Sequence, residues 1–518
     1  MASRKRPAVA EPRQMTFDEM RRTGAVKQQL DEALARIEEL ENANRELRRQ
    51  AAEMSSADDV RVAREALHES EETVRIKSEA LRESKDAVRV KSEALQEAPV
   101  PDVHAVAIGL SCAMLGAELR AHVRGFEVEA GTLRIWPQST SAVLRIDGGE
   151  GVPARAFLKT ATAQEATANK SLAAIRRDLV SNRVEARFYS EVGPLLHARG
   201  VRLFQAFAID DRLCNLADAE AGDPAGGVLL LLESAESLSY VQKSPLDAAA
   251  ARCALTALAT LHASAWEDRS LLSRCAAHLH AKGGGWWSLH QRGVAELASL
   301  HDVWPRFLAA FAPVEPALVV EPRIVQLAER LARLAPWVAE QLDVHPDDPF
   351  CTLMHGDYKA ANLFLPDPSL PEGTRTAVPV DWQWAGHGLG MRDVAYHLTH
   401  AVEVDALAPE GAEEALVQHY CAELRARLTP EAAAAFTEEV AMRQYELALL
   451  DYARLVISRF VVDASPESFA KANAGPRAAN VGVIYRDVRG APRLVRRVDA
   501  LLAHFETESE RSEASAER

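Results

Sequence analysis

The spacing of apolar positions divides the chain into stretches of different character. Between Val26 and Met54 the apolar residues alternate by four and three (Val26, Leu30, Ala33, Ile37, Leu40, Leu47, Ala51, Met54), and Asn44 fills the missing place. This is a heptad register with Leu30, Ile37, Asn44 and Ala51 at a, and Val26, Ala33, Leu40, Leu47 and Met54 at d. A single Asn at a specifies register and favours two strands at some cost in stability. Arg36 at g would face Glu41 at e of a partner, so the pattern predicts a parallel homodimer through residues 26–54. A lone charged helix held by i,i+4 pairs is the alternative. Next comes a repeat of period 14, VRVAREALHESEET, VRIKSEALRESKDA and VRVKSEALQEAPV, beginning at Val60, Val74 and Val88. Its second seam position is mostly polar (Ser70, Lys77, Ser84, Lys91), which suits a weakly associating helical spacer. Pro99 and Pro101 end it.

After the prolines the period changes. Residues 131–136, 141–146 and 154–158 have strand character, with turns at Pro137-Gln138 and Gly148-Gly149, and the last strand is expected to end on Lys159. Residues 228–232 form a continuous apolar strand that runs into Glu233-Ser234-Ala235. From about 245 onward the spacing is mainly helical, as in Leu255, Leu258 and Leu261, residues 441–462, and Leu494, Val498, Leu501, Leu502 and Phe505. Gly283-Gly284-Gly285-Trp286-Trp287 interrupts the helices as a flexible loop, whose Trp pair either lines a pocket or packs. Residues 1–16 and the Glu- and Ser-rich 506–518 are expected to be disordered.

Composition narrows the class. A chain of 518 residues with 48% hydrophobic content can bury two or three cores. Six scattered cysteines without a CxxC pair fit reduced thiols, which suggests a cytoplasmic protein. No apolar run is long enough to span a membrane. The net charge of −15 argues against general nucleic-acid binding. His387, His397 and His400 lack a convincing four-ligand zinc pattern, and His262 reads as a packed helix residue.

The most informative stretch is residues 351–396. An apolar approach leads into His355-Gly356-Asp357; Asn362 comes five residues after that Asp, then the apolar residues 363–365, a Pro- and Gly-rich loop, and a strand over 377–380 that delivers Asp381. Two carboxylates and an amide are thus placed at loop and strand ends, where a scaffold can aim them at one point. Taken singly they could be a turn and a strand-end cap. As an ordered set they match phosphoryl transfer, which needs a carboxylate to accept the proton of the attacking hydroxyl and hard oxygen ligands for Mg²⁺.

HGDYKAANLF followed by VDWQWAGHGLGMRDVAY resembles the aminoglycoside phosphotransferase/choline kinase superfamily, and Gln383 directly after Asp381-Trp382 resembles its ecdysteroid-kinase-like (CHK kinase-like) branch. The resemblance implies Asp357 as catalytic base, Asn362 and Asp381 on Mg²⁺, and Asp393 as a structural acid bracing the catalytic loop. It also implies Lys159 as the lysine that grips ATP phosphates, unless it is an ordinary strand-end Lys. Glu185, in Glu185-Ala-Arg-Phe188-Tyr189, would orient Lys159, with Glu165 as the competing candidate. Where a glycine-rich phosphate loop belongs the chain has PQSTS, so the backbone N–H groups and hydroxyls of Ser139, Thr140 and Ser141 are the expected phosphate contacts. Glu233, Ser234 and Ala235 correspond to a hinge whose main chain would bond adenine.

The expected architecture is α+β: a protein-kinase-like two-lobed fold with an antiparallel-sheet N-lobe at 102–240 and a mainly helical C-lobe at 241–505, preceded by a long coiled-coil helix over 17–97. The expected function is ATP- and Mg²⁺-dependent phosphorylation of a small-molecule hydroxyl. The alternative is a catalytically weak kinase-fold scaffold dimerised through its coiled coil. Deleting residues 1–97 should leave a folded monomer, because the Pro-bounded helix has its own seam. Light scattering at micromolar concentration tests this, and a monomeric full-length chain would refute the dimer.

Overall fold

The computed structural model describes residues 110, 112–135, 139–162, 172–211, 227–371, 375–460, 464–474, 482, 484 and 487–516. The chain divides into two units, Met1–Val103 and His104–Arg518, and all described residues belong to the second. The coiled coil, its dimer seam, the 14-residue repeat and Glu165 lie outside the described residues.

The second unit opens with helix α1 (Cys112–Leu119) and strands β1 (Val123–Val128), β2 (Arg134–Ile135), β3 (Thr140–Gly148) and β4 (Arg155–Thr162). Helix α2 (Leu172–Arg187), β5 (Ala206–Asp210) and β6 (Gly227–Glu233) come next. The strands form one antiparallel sheet of order β1-β3-β4-β6-β5, with β2 on β3. Strand periodicity decides what each face does. Ala142, Leu144, Ala156 and Leu158 are fully buried and join Leu115 of α1 and Leu231 in one core. The alternate positions Phe157, Lys159 and Ala161 turn to the opposite face, where Ala161 packs in the same core as Val184 and Phe188. Lys159 is not a strand end. The ladder with β6 continues through Thr160↔Leu229 to Thr162↔Gly227, because Thr160-Ala-Thr suits extended backbone. The segments 123–128 and 206–210 are strands that the apolar pattern did not indicate.

The rest is mainly helical. In order come β7 (Tyr240–Val241), α3 (Ala248–Ala265), α4 (Ala298–Phe311), α5 (Leu327–Leu342), β8 (Cys351–Met354), β9 (Leu363–Pro366), β10 (Val378–Pro379), β11 (Gly386–Leu389), α6 (Met391–Ala401), α7 (Ala412–Arg425), α8 (Glu438–Leu455) and α9 (Gly490–Ala516). Helix α3 starts where the Asp247 side chain accepts the Ala250 amide, a cap contributing about 1 kcal/mol. Its apolar side (Leu255, Leu258, Leu261) is buried. Two small sheets carry the chemistry-bearing loops, β10-β9-β7 and β11-β8. Helix α8 packs against α5, α6 and α9. The α+β expectation therefore holds for this unit. Among the described residues no helix is long and apolar enough to cross a membrane.

The terminal segment departs from expectation. Residues 506–516, expected to be disordered, continue α9. Composition could not reveal why, since the helix is held by distant cations. Arg330 donates to Glu506 at 3.0 and 2.8 Å and to Asp499 at 2.5 Å. Arg333 reaches Glu506 at 3.1 Å, and Arg443 reaches Glu508 at 2.6 Å. Truncation after Phe505 leaves the largely buried Arg330 without its bidentate partner and should cost about 1–3 kcal/mol, a typical range for charge-assisted bonds. Urea denaturation measures the loss, and unchanged stability would contradict the clasp.

Candidate active site

Strand β8 delivers His355-Gly356-Asp357, and the loop is held at each of its residues. Asp393, fully buried at the start of α6, accepts the amides of His355 (2.6 Å) and Gly356 (3.0 Å). His355 accepts the Asp357 amide on Nδ1 at 3.2 Å and donates from Nε2 to the Val380 carbonyl at 3.0 Å. Those two bonds together require a neutral ring. Burial supplies it, holding the imidazole below its usual pKa against the nearby carboxylates. His355 thereby ties Asp357 to the strand end that carries Asp381. Gly356 has φ +78°, and a Cβ there would lie 1.9 Å from the Trp384 carbonyl oxygen and 2.6 Å from the Gly285 amide nitrogen. Only glycine fits.

The Asp357 carboxylate accepts four side-chain hydrogen bonds. Tyr396 Oη (2.7 Å) and Trp286 Nε1 (3.0 Å) donate to Oδ1; Lys359 Nζ (2.8 Å) and Asn362 Nδ2 (2.9 Å) donate to Oδ2. The loop that supplies Trp286 is not flexible in the sense expected of its glycines. It is knitted to the site by Gly284 N to His387 O (2.9 Å), Gly285 N to Trp384 O (3.2 Å) and Trp286 N to Gly356 O (3.3 Å). The glycines permit this close backbone approach. Behind it Trp287 is fully buried and stacks on Tyr396 at 4.2 Å, and the buried Arg454 donates to the Trp287 carbonyl at 2.6 Å.

The third group joins the sheet to the helical part. Lys159 Nζ lies 2.6 Å from Glu185 Oε2 on α2 and 2.9 Å from Asp381 Oδ1. Burial works against the Lys159 charge, but Asp381 and Glu185 outweigh it and raise its pKa. Glu185 is pushed up to about 7 by burial, with Lys159 pulling the other way. Burial also opposes ionisation of Asp381, yet Lys159 and Lys359 together hold it below the usual carboxylate range. Asp381 adopts φ +66°, a left-handed conformation uncommon for a non-glycine residue and often found at functional sites. Its side chain remains 32% exposed, which leaves it reachable. Asn362 ends a short turn, with its Nδ2 bonded to the Asp357 carbonyl and carboxylate (3.0 and 2.9 Å).

The remaining sequence-predicted residues are placed unevenly. Ser141 is the cross-strand partner of Lys159 and shares its face. Thr140 pairs with Thr160 and so turns to the α1 side, away from Lys159, which removes its hydroxyl from the expected phosphate contacts. Ser139 is buried just before β3. The Glu233 amide bonds the Gln205 carbonyl at 2.9 Å, so it is committed within the protein rather than free for adenine. Ser234 and Ala235 lie in the connection to β7, which pairs with β9 and thus links the sheet to the catalytic loop. Lys359 was missed, although its place two residues after Asp357 was visible. The roles of Trp286 and Tyr396 carried no such signal, because their contacts with Asp357 span 71 and 39 residues.

Residues 183–430 match the model of the ecdysteroid kinase-like family. This segment is ecdysteroid kinase-like. The match spans Glu185, Asp357, Asn362, Gln383 and Asp393, in agreement with the resemblance read from the motifs. No curated protein matches the chain. Solved structures similar to it include a microcompartment-associated aminopropanol kinase (13% identity, 80% of this chain and 95% of that one, TM-score 0.34). They also include the choline kinase LicA from Streptococcus pneumoniae (13%, 73% and 94%, 0.32) and a choline/ethanolamine kinase family protein from Mesorhizobium loti (14%, 77% and 98%, 0.35).

Glu185 generates a pH prediction. Its pKa is raised from 4.5 to about 7, so its contribution to stability is complete below 4.5 and lost as pH rises through about 7. Glu185→Gln removes that dependence. Relative to Glu185→Gln, the wild type should lose about 1–3 kcal/mol between about pH 5 and about pH 8 in urea denaturation. A constant difference across that window would contradict the raised pKa.

Proposed function

We propose that this protein is a phosphotransferase that uses ATP and Mg²⁺ to phosphorylate a hydroxyl of a small molecule. The observation that carries the reading is the bridge from Lys159 to Glu185 and Asp381, set beside an Asp357 whose carboxylate is oriented by Asn362. In this reading Lys159, fixed by Glu185, faces the phosphates of ATP. Asn362 spends its Nδ2 on Asp357, which leaves its Oδ1 as the atom able to meet a cation. Asp381 supplies a half-buried but reachable carboxylate. Two oxygen-bearing side chains suit Mg²⁺, which usually takes one or two carboxylates and completes its shell with phosphate oxygens and water. Among the described residues no cluster of three His, Cys, Asp or Glu offers a fuller cage. The ion supplies neutralisation of phosphate charge when bound.

Asp357 accepts the proton of the acceptor hydroxyl as its oxygen bonds to the γ-phosphorus, and the bond to the β-phosphate oxygen breaks to release ADP. Trp286, Tyr396 and Asn362 hold the carboxylate at the angle this needs. The small-molecule assignment rests on the segment after Asp381. Eleven residues separate it from Asp393, and they contain β11 leading directly into α6, with no segment long enough to seat a peptide. The ecdysteroid kinase-like match, which covers this segment, agrees with a small-molecule acceptor.

Asp357→Asn should lower turnover about 100- to 10,000-fold while sparing ATP binding, since it removes the base and little of the nucleotide site. Asp381→Ala should instead weaken Mg²⁺-dependent nucleotide binding. Incubation with labelled ATP and a size-fractionated metabolite extract, with Asp357→Asn as control, tests both reaction and acceptor class. Label transferred in an Asp357-dependent manner only to proteins would overturn the assignment.

A further inference from the structure

The residues after Asp381 are bound to α2 more thoroughly than a loop between strands requires. Trp382 is fully buried and stacks on Phe188, the residue after α2, at 3.7 Å and 8°. Gln383 Nε2 donates to Asn182 Oδ1 at 3.0 Å, on the α2 turn that carries Glu185. Asn182 and Glu185 are three residues apart, on one face of α2, and both are buried. Among the described residues the Asn182 Nδ2 has no hydrogen-bond partner, so the contact from Gln383 to Oδ1 is the side-chain bond that anchors this amide. On the other side the Gln383 carbonyl accepts His280 Nε2 at 2.9 Å, and the His280 ring lies flat on Trp384 at 4.9 Å and 4°.

We propose that Gln383 is a positioning residue that locks α2, and with it Glu185, to the turn carrying Asp381. This deepens the phosphotransferase reading and rests on it. The chemistry explains why an amide stands here. Its partner on α2, the Asn182 Oδ1, is an acceptor, and an amide nitrogen is a neutral donor that meets it. A carboxylate of the same shape would set acceptor against the Asn182 Oδ1 and add a negative charge near Glu185 and Asp381. An apolar side chain would leave the buried Asn182 Oδ1 unpaired. With the amide in place, Lys159 meets two carboxylates whose separation is set in advance, and a phosphate-binding ammonium needs that preorganisation.

The test uses the full chain and measures the dissociation constant for ATP with Mg²⁺ by titration calorimetry. Gln383→Ala, Gln383→Glu and Asn182→Ala should each weaken it about tenfold, and Gln383→Ala combined with Asn182→Ala should be no worse than the weaker-binding single variant, because one bridge is broken only once. Gln383→Glu keeps the size of the side chain, so affinity within twofold of wild type in that variant would mean mere packing and would overturn the proposal. Additive losses in the double variant would overturn it too. If changes at 383 prevent folding, Asn182→Ala breaks the same bridge from the helix and decides alone. Wild type that binds no ATP with Mg²⁺ would overturn the phosphotransferase reading and this proposal with it, an outcome distinct from binding that the variants leave unchanged.

Discussion

A single ammonium group, on Lys159, is shared by two carboxylates from distant parts of the chain, and that sharing governs the arrangement of the site. One positive charge cannot balance two negative ones withdrawn from water, one buried and one half-buried, and burying an uncompensated charge costs several kcal/mol. The protein answers in two ways. Glu185, the more buried acid, has its carboxyl raised to about 7, so that its proton stays within reach near neutral pH. Asp381 is kept ionised with the help of a second cation, Lys359, which also bonds Asp357. The neighbouring rings add no charge of their own. His355 and His280 are both held toward the neutral form by burial, and Tyr396 stays a phenol able to donate to Asp357.

The sequence was legible where chemistry is local. His355-Gly356-Asp357, Asn362 and Asp381 lie within 27 residues, so their order could be read along the chain and their meeting is a consequence of two short strands. Lys159 and Glu185 were legible only as a strand residue and a helix residue that happened to suit each other. Their contact depends on how α2 crosses the sheet. What the sequence hid was contact over long separations. Nothing near Trp286 announces that its indole meets Asp357, and nothing in the Glu- and Ser-rich tail announces Arg330, 176 residues earlier than Glu506. Strand alternation also separates residues of the expected phosphate loop. PQSTS looks uniform as a string, but the pleat sends Thr140 and Ser141 to opposite faces.

Much of the site's precision lies in main-chain contact rather than in side chains. Gly356, Gly284 and Gly285 let three separate segments approach until their amides and carbonyls bond each other. Asp357 is thus positioned by backbone on one side and by four side-chain donors on the other. Such over-determination is what a group held at a fixed angle requires, and it explains why so few of the supporting residues look chemical in the sequence.

The clasp between α9 and the arginines of α5 and α8 bears on the order in which the molecule takes shape during synthesis. The sheet of the second unit is complete once Glu233 has been made, and its core with α1 draws on no residue beyond that point among those described. The helical body has no such independence. Arg330 and Arg443 remain without their acidic partners until Glu506 and Glu508 leave the ribosome. The early half can therefore settle while translation continues. The late half must wait for its last helix, with Trp337 and the neighbouring apolar surface of α5 uncovered until Phe505 arrives to pack against them. That interval is when the nascent protein is most open to chaperones and to mispairing with other chains.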